Sequence, residues 1–290
     1  MRPSAPVTER RSPNVEVIDL APGLWIWRLE HPAWTPDADW QEVVTCVCAD
    51  AGDQRWILDP LLPPNDATQV WGRLAERPPT AVAVLTPDHM RNTWADRKTW
   101  SVDALVRRYG CRAFGPNAFD PDMGQPETGV QKVVPGNELP GGLLAFRDPR
   151  GWNETPLWLP EHRTLVFGDA LTERAGQLRV WMSPTHLQRA VPDLRAMLEF
   201  PFERVIISHG EPVHTRAAFE HALELPQWPA SALHLAVYGG NRDRVRALVE
   251  AGADLNARDE RHNGTPLDWA EMGGHKDVID YLRSVTKISS

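Results

Sequence analysis

Two stretches near the end of this chain repeat one another, and an internal repeat narrows the possible folds more than composition does. SALHLAVYGGNRDRVRALVEAGADLNARD begins at Ser231 and GTPLDWAEMGGHKDVIDYLRSV begins at Gly264. Leu233 and Leu267 hold equivalent places 34 positions apart. Self-similarity at such a period marks a supersecondary unit that buries its apolar side by stacking on a neighbour. Apolar residues recur at helical spacing in both copies, Val245, Leu248 and Val249 in one, Val278, Ile279 and Leu282 in the other. Arg242, Arg244, Asp277 and Asp280 then face outward. A stack normally needs about three copies, and about two are present. The pair is therefore expected to pack on the rest of the chain.

The residues before the repeat read differently. Positions 1 to 13 carry three prolines and three arginines without periodicity and read as a flexible leader. VEVIDL, GLWIWRLE, QEVVTCVCAD and QRWILDPLL follow as short strands rich in β-branched and aromatic residues. A helix is expected from about Asp66 to Glu76, an apolar strand at Ala81 to Leu85, and a second helix at Val102 to Tyr109 stopped by Gly110. Beyond a Gly and Pro-rich stretch, Gly115 to Gly142, strands are expected at Leu143 to Phe146, Pro156 to Leu159 and Thr164 to Phe167. A helix near Leu187 to Glu199 then leads to a buried strand, Arg204 to Ser208. The pattern changes at LPQWPA, positions 225 to 230. Residues 14 to 226 therefore read as one α/β sandwich and 227 to 290 as a separate helical module.

Composition removes several classes of function. Of 290 residues, 42% are hydrophobic and 24% charged, the balance of a globular protein. No apolar run approaches the ~20 residues of a membrane span, and no secretory signal opens the chain, so a cytoplasmic location without membrane contact is expected. The net charge of -8 leaves no basic footprint for nucleic acid. Cys46, Cys48 and Cys111 make neither a disulfide framework nor a C-x-x-C metal knuckle and are expected as buried hydrophobes. No G-x-S-x-G elbow, Walker A or G-x-G-x-x-G loop occurs.

The repeat, with T-P-L, a short helix, a G-G or G-N turn, a second helix and A-G-A-D-L-N-A-R-D, resembles the ankyrin repeat, whose usual period is about 33. The extra residue falls near Glu260 to Asn263. The resemblance implies a small all-α ankyrin-like module that either receives an unknown protein partner or caps the first domain. Three further fragments, AVLTPDHMRN at 83 to 92 (read from Ala83 as Ala-Val-Leu-Thr-Pro-Asp-His-Met-Arg-Asn), LVFGDAL at 165 to 171 and VIISHGEP at 205 to 212, resemble the metallo-β-lactamase superfamily. So do the ILDP strand end at Ile57 to Pro60 and the LPEHRTLVFGDAL run at 159 to 171. That resemblance implies an αββα sandwich over about 14 to 226. In this superfamily one or two zinc or iron ions sit at the sheet edge.

The superfamily pattern H-x-H-x-D-H, laid on this chain, falls on Pro87 to Asn92, so that only His89 survives. The next superfamily histidine falls near Arg150 or Gly151, where there is none. The bridging aspartate corresponds to Asp169 and the last histidine to His209. In the parent arrangement His89 and His209 serve different ions, so a single ion using all three would have to shift. Arg91, at a ligand position, is expected to neutralise Asp169, Asp88 or Glu154 in place of an ion. Each survivor also has an ordinary structural role: Asp169 as a cap, His209 as a strand-end histidine and His89 as a core histidine.

Two readings follow. The leading expectation is a catalytically eroded sandwich fused to a short ankyrin module, acting by binding a small molecule or a protein, with no cofactor favoured. Its cleft would be lined by Arg91, Asn92, Arg150, Trp152 and Asn153. The alternative is a single-metal hydrolase of ester, lactone or thioester type, with zinc or iron on His89, Asp169 and His209 and with Asp88 or Glu154 as general base. His186 is expected as an exposed helix-start histidine or at the mouth of the cleft. Ser208 and His209 are neighbours in sequence without forming a dyad, because alternate strand residues point to opposite faces.

Overall fold

A computed structural model describes residues 12–35, 40–119, 124–174, 176–181, 183, 185–225, 227, 232–259 and 263–286. Residues 1–11 of the expected leader, positions 226 and 228–230 of the change point and the loop at 260 to 262 lie outside the described residues.

The first four strands are β1 (Glu16–Ala21), β2 (Leu24–Glu30), β3 (Val43–Ala51) and β4 (Gln54–Leu58). They form an antiparallel meander. Helix α1 (Thr68–Glu76) buries Val70 and Leu74, one turn apart on one face. It crosses to β5 (Ala81–Ala83), parallel to β4. Helix α2 (Ser101–Tyr109) buries Val102 and Leu105 and ends at Gly110, whose φ of 66° is the left-handed conformation that a helix stop requires. Strands β6 (Arg112–Gly115) and β7 (Val130–Lys132) complete a seven-stranded sheet in sequential order.

The second sheet takes β8 (Glu138–Leu139), β9 (Leu143–Ala145), β10 (Leu157–Leu159) and β11 (Thr164–Val166). A separate hairpin, β12 (Leu171–Arg174) with β13 (Gln177–Val180), follows Asp169. A turn of π-helix at His186–Ala190 leads into α3 (Val191–Ala196). Strands β14 (Arg204–Ile206) and β15 (Val213–Thr215) and helix α4 (Arg216–Ala222) close the layer. The sheet order is β15-β14-β11-β10-β9-β8, with β11 and β14 parallel.

The inner strands of both sheets bury both faces, which is why they read as nearly continuous apolar runs. Leu24, Ile26, Trp56 and Leu58 face Leu143, Leu157, Val166 and Ile206 between the sheets. Their neighbours Trp25, Trp27 and Ile57 turn outward under Val70, Leu74 and Leu105 of the helices. Trp158, Phe167 and Val205 pack on the far side against Leu194 and Phe219. The order of layers is therefore helix, sheet, sheet, helix. Each fully buried large side chain contributes about 1.5–3 kcal/mol. The three cysteines are buried free thiols. Burial pushes Cys46 and Cys48 up to about 12 and Cys111 to about 11, so all three stay protonated.

The repeat forms two helix pairs, α5 (Ala232–Tyr238) with α6 (Arg242–Glu250) and α7 (Pro266–Gly273) with α8 (Lys276–Thr286). A capping box of Thr265 and Asp268, with Pro266 at the first position, starts α7. Val245, Trp269, Val278 and Leu282 build a core of their own. His234 meets Trp269 edge-on at 5.5 Å between centroids, and the Trp269 indole donates to Asp259 at 2.8 Å. The pair does pack on the sandwich: Tyr238 stacks on Trp152 at 6.2 Å, and Gln227 donates to the Ser183 carbonyl at 2.7 Å. Among the described residues no helix is long and apolar enough to cross a membrane.

Candidate metal centre

The C-terminal ends of β4, β5, β11 and β14 open at one edge of the sandwich, the place where parallel strands of α/β sheets present their loops to ligands. Asp59 follows β4, His89 lies on a short helical turn after β5, Asp169 follows β11 by three residues and His209 follows β14 by three. An isolated bridge between Val44 and His209 and a hydrogen bond from Thr45 N–H to the Ser208 carbonyl at 3.0 Å tie the two sheets together there.

Three possible ligand atoms converge at this edge. His89 Nε2 lies 3.1 Å from Asp169 Oδ1 and 3.3 Å from His209 Nε2, and His209 Nε2 lies 3.4 Å from the same Asp169 oxygen. These three side chains are a group able to hold a metal ion. Ligands about 2.0–2.1 Å from a tetrahedral ion stand roughly 3.3–3.4 Å apart, so the triangle fits one ion without rearrangement. Whatever ions the two histidines serve in the parent arrangement, in this chain their Nε2 atoms meet at 3.3 Å because the β5 and β14 ends face each other across the seam between the sheets.

Asp59 fixes the orientation. Its Oδ1 accepts the Leu85 N–H at 2.6 Å, and its Oδ2 takes His89 Nδ1 at 2.6 Å and the Ser208 hydroxyl at 3.4 Å. With Nδ1–H donated to a carboxylate, Nε2 of His89 presents a lone pair to the triangle, the carboxylate–histidine–metal arrangement of many metal sites. In the sequence Asp59 is only the end of a strand; the structure shows it at a left-handed φ of 48° ahead of Pro60, which no sequence pattern announces. Gly168 leaves little room for a side chain, since a Cβ there would stand 3.0 Å from Thr86 Cγ2 and 3.5 Å from His89 Cε1.

The ion pair to Asp169 beside the triangle comes from Arg150 and not from Arg91. Arg150 is buried, with Nη2 3.5 Å from Glu154 and 3.7 Å from Asp169 Oδ2. Arg91 turns back beneath the helical turn and donates to the Asp59 carbonyl at 2.8 Å, so it supports the loop that carries Asp59. The expected ion pair of Arg91 with Asp169, Asp88 or Glu154 is thus replaced by one from Arg150, the position that the resemblance aligned with a missing histidine.

Burial and Arg91 oppose a charge on His89, but Asp59 and Asp169 outweigh them and push its pKa up to about 9. Burial by itself raises Asp169, yet His89, His209 and Arg150 hold it well below the usual carboxylate range. Burial, helped by His89 and Arg91 against Asp169, pushes His209 down to about 3. Burial also raises Glu154 to about 8 in spite of Arg150.

A cavity of about 710 Å³ opens over the triangle. Asp88, Arg91, Asn92, Arg150 and Trp152 line it, together with His31, Trp40 and Trp181, which sequence reading did not single out. Two expected residues stand elsewhere. Asn153 is not in the lining, because its left-handed backbone turns the amide away to donate to the Ala118 carbonyl. Glu154 lies behind the wall, accepting the Gly168 N–H at 3.0 Å, so it supports the loop before Asp169 and is poorly placed as a base. Asp88 is exposed at the cavity wall. His186 is buried and lines a small neighbouring recess, neither exposed nor at the main mouth.

Known proteins resemble the two parts separately. The family model for ankyrin repeats in three copies matches residues 209–289. Its first portion, from 209, falls on β15 and α4, and the helix pairs of the repeat are α5 to α8. The potassium channel AKT1 of Arabidopsis thaliana is 50% identical over 53 residues, 18% of this chain and 6% of the channel. The Notch-regulated ankyrin repeat-containing protein A of Danio rerio is 40% identical over 60 residues, 21% of this chain and 53% of that protein. Ankyrin repeat and SOCS box protein 6 of Homo sapiens is 31% identical over 136 residues, 44% of this chain and 29% of that protein. In each case this chain spans well under two thirds of the relative. Among solved structures, the metallo-β-lactamase FIM-1 from Pseudomonas aeruginosa in its mono-zinc form has a TM-score of 0.53 at 18% identity, covering 73% of this chain and 94% of its own. The metallo-β-lactamase from Hirschia baltica has a TM-score of 0.53 at 15% identity, covering 73% and 98%. The chain therefore has a metallo-β-lactamase fold followed by ankyrin repeats, and at these identities the likeness speaks for fold alone.

Proposed function

We propose that this chain is a metal-dependent hydrolase working with one divalent ion, held by His89, Asp169 and His209, with the Arg150 guanidinium in the place of a second ion. One observation carries the reading: two imidazole nitrogens and a carboxylate oxygen stand within 3.4 Å of one another while Asp59 occupies the other nitrogen of His89. With His89 Nδ1 given to Asp59, the Nε2 lone pair of His89 faces the Asp169 carboxylate and the two repel unless a cation or a proton lies between them. When bound, zinc or iron at such a site acidifies a water and polarises a carbonyl.

The chain's own residues divide the remaining work. Asp59 holds the His89 ring and its tautomer. Arg150, buried between Glu154 and Asp169 at the cavity wall, holds the Asp169 carboxylate and adds positive potential where an oxyanion or a product carboxylate would lie. Asp88, exposed at the wall, is the group placed to take a proton. Esters, lactones and thioesters are the substrate classes suited to these groups. The test is turnover of 4-nitrophenyl acetate, a γ-lactone and an acyl thioester by zinc-loaded protein. Turnover of at least one, lost on chelation and in Asp169→Ala, is expected; turnover that survives both, or none at all, contradicts the reading.

A second reading has its own support. A doubly protonated His89, favoured by its raised pKa of about 9, bridges Asp59 and Asp169 and closes the network without any ion. The cleft would then bind a small molecule without turning it over, and the ankyrin pair would be free to receive a protein partner.

A further inference from the structure

The ankyrin pair does more than rest on the sandwich. Tyr238 at the end of α5 and Trp269 and Met272 on α7 line the same cavity as Asp169 and His209. The Trp152 ring, from the loop that carries Arg150, lies at 29° to the Tyr238 ring, and Arg150 Cζ sits 5.2 Å from the Trp152 centroid. A strip of aromatic surface thus leads from the repeat to the guanidinium beside the triangle. Trp40 and Trp181 face this strip from the sandwich.

Met272 is the unexpected member. It is 59% exposed, and only Val134 and Leu187 accompany it as exposed large hydrophobics among the described residues. On a polar repeat surface such a side chain has no structural duty, whereas at a cavity wall its flexible thioether adapts to an apolar guest. The cavity, about 710 Å³, is far larger than an acetyl group needs and falls in the range of pockets that enclose whole small molecules.

We infer that the ankyrin pair is the far wall of the ligand site and selects a small acyl compound with a flat, apolar, preferably aromatic body, whose carbonyl or carboxyl end reaches Arg150. Aromatic walls favour flat guests through offset stacking and area burial. The positive potential of Arg150, held at Asp169 at the cavity wall, draws the polar end toward the triangle. The inference rests on the cleft being the place of reaction, and it assigns the repeat a specificity-determining part in that reaction.

The test is calorimetric binding of 1-naphthylacetate to the full chain, with acetate as the control. Naphthylacetate is expected to bind at least tenfold more tightly than acetate. Trp152→Ala is expected to weaken it at least tenfold. Met272→Ser, which alters an exposed helix position and leaves the repeat core intact, is expected to weaken it threefold or more, with zinc affinity unchanged in both variants. Equal binding of the two acids, or naphthylacetate binding unaltered in Met272→Ser, would overturn the inference. Asp169→Ala separates the two proposals. If it abolishes zinc binding and keeps the naphthyl preference, both stand; if wild-type protein binds no zinc yet keeps that preference, only the metal reading falls.

Discussion

Asp59 decides whether His89 is a ligand or a core histidine. Its carboxylate spans the Leu85 N–H and His89 Nδ1, both at 2.6 Å, and so leaves Nε2 toward Asp169. Asp59→Asn keeps an acceptor for Leu85 and tolerates the left-handed backbone, but it removes the charge that makes His89 a strong donor of electron density. We expect zinc affinity to fall about 10–100-fold with folding retained, measured by competition with a fluorescent chelator; unchanged affinity would mean that Asp59 is only structural. His89, Asp169 and His209 were legible in the sequence because each closes a strand-borne motif. Asp59 was not, because a D-P strand end reads as a turn; Arg150 was expected in the cleft lining but not as the partner of Asp169, because the reach of a loop arginine depends on where the loop folds back.

At the scale of elements, the strands and the two long helices α1 and α2 followed from alternation, helical spacing and Gly110. The hairpin β12–β13 did not: it follows a Gly-Asp turn that suits a helix cap equally well, and tertiary packing of Leu171 and Val180 on Phe167 settles it. The π-helical turn at His186–Ala190 also departs from expectation and buries its first residue. Burial pushes His186 down to about 4 from the ordinary 6.5. Between those values the unfolded chain takes up a proton that the folded chain refuses, so stability falls as pH drops through 6.5 toward 4. His186→Gln removes this contribution. Urea denaturation at pH 7 and pH 5 is expected to show a smaller loss for the variant than for the wild type; equal losses would show that His186 is not the group responsible.

The whole molecule is two cores sharing one cavity. The buried residues of the repeat form their own cluster, separate from the three clusters of the sandwich, while Tyr238, Trp269 and Met272 reach the cleft. The number of repeats, too few to stack alone, foretold that docking; no sequence signal foretold that it falls on the site. The same cleft holds one triangle of ligands and, next to it, a guanidinium where a second ion would otherwise balance Asp169. The proposed reading therefore calls for one ion per chain. Elemental analysis of protein purified without chelator and then equilibrated with excess zinc and desalted measures that directly. One tightly held zinc per chain, absent from Asp169→Ala, is the predicted result, and either none or two per wild-type chain would contradict the account.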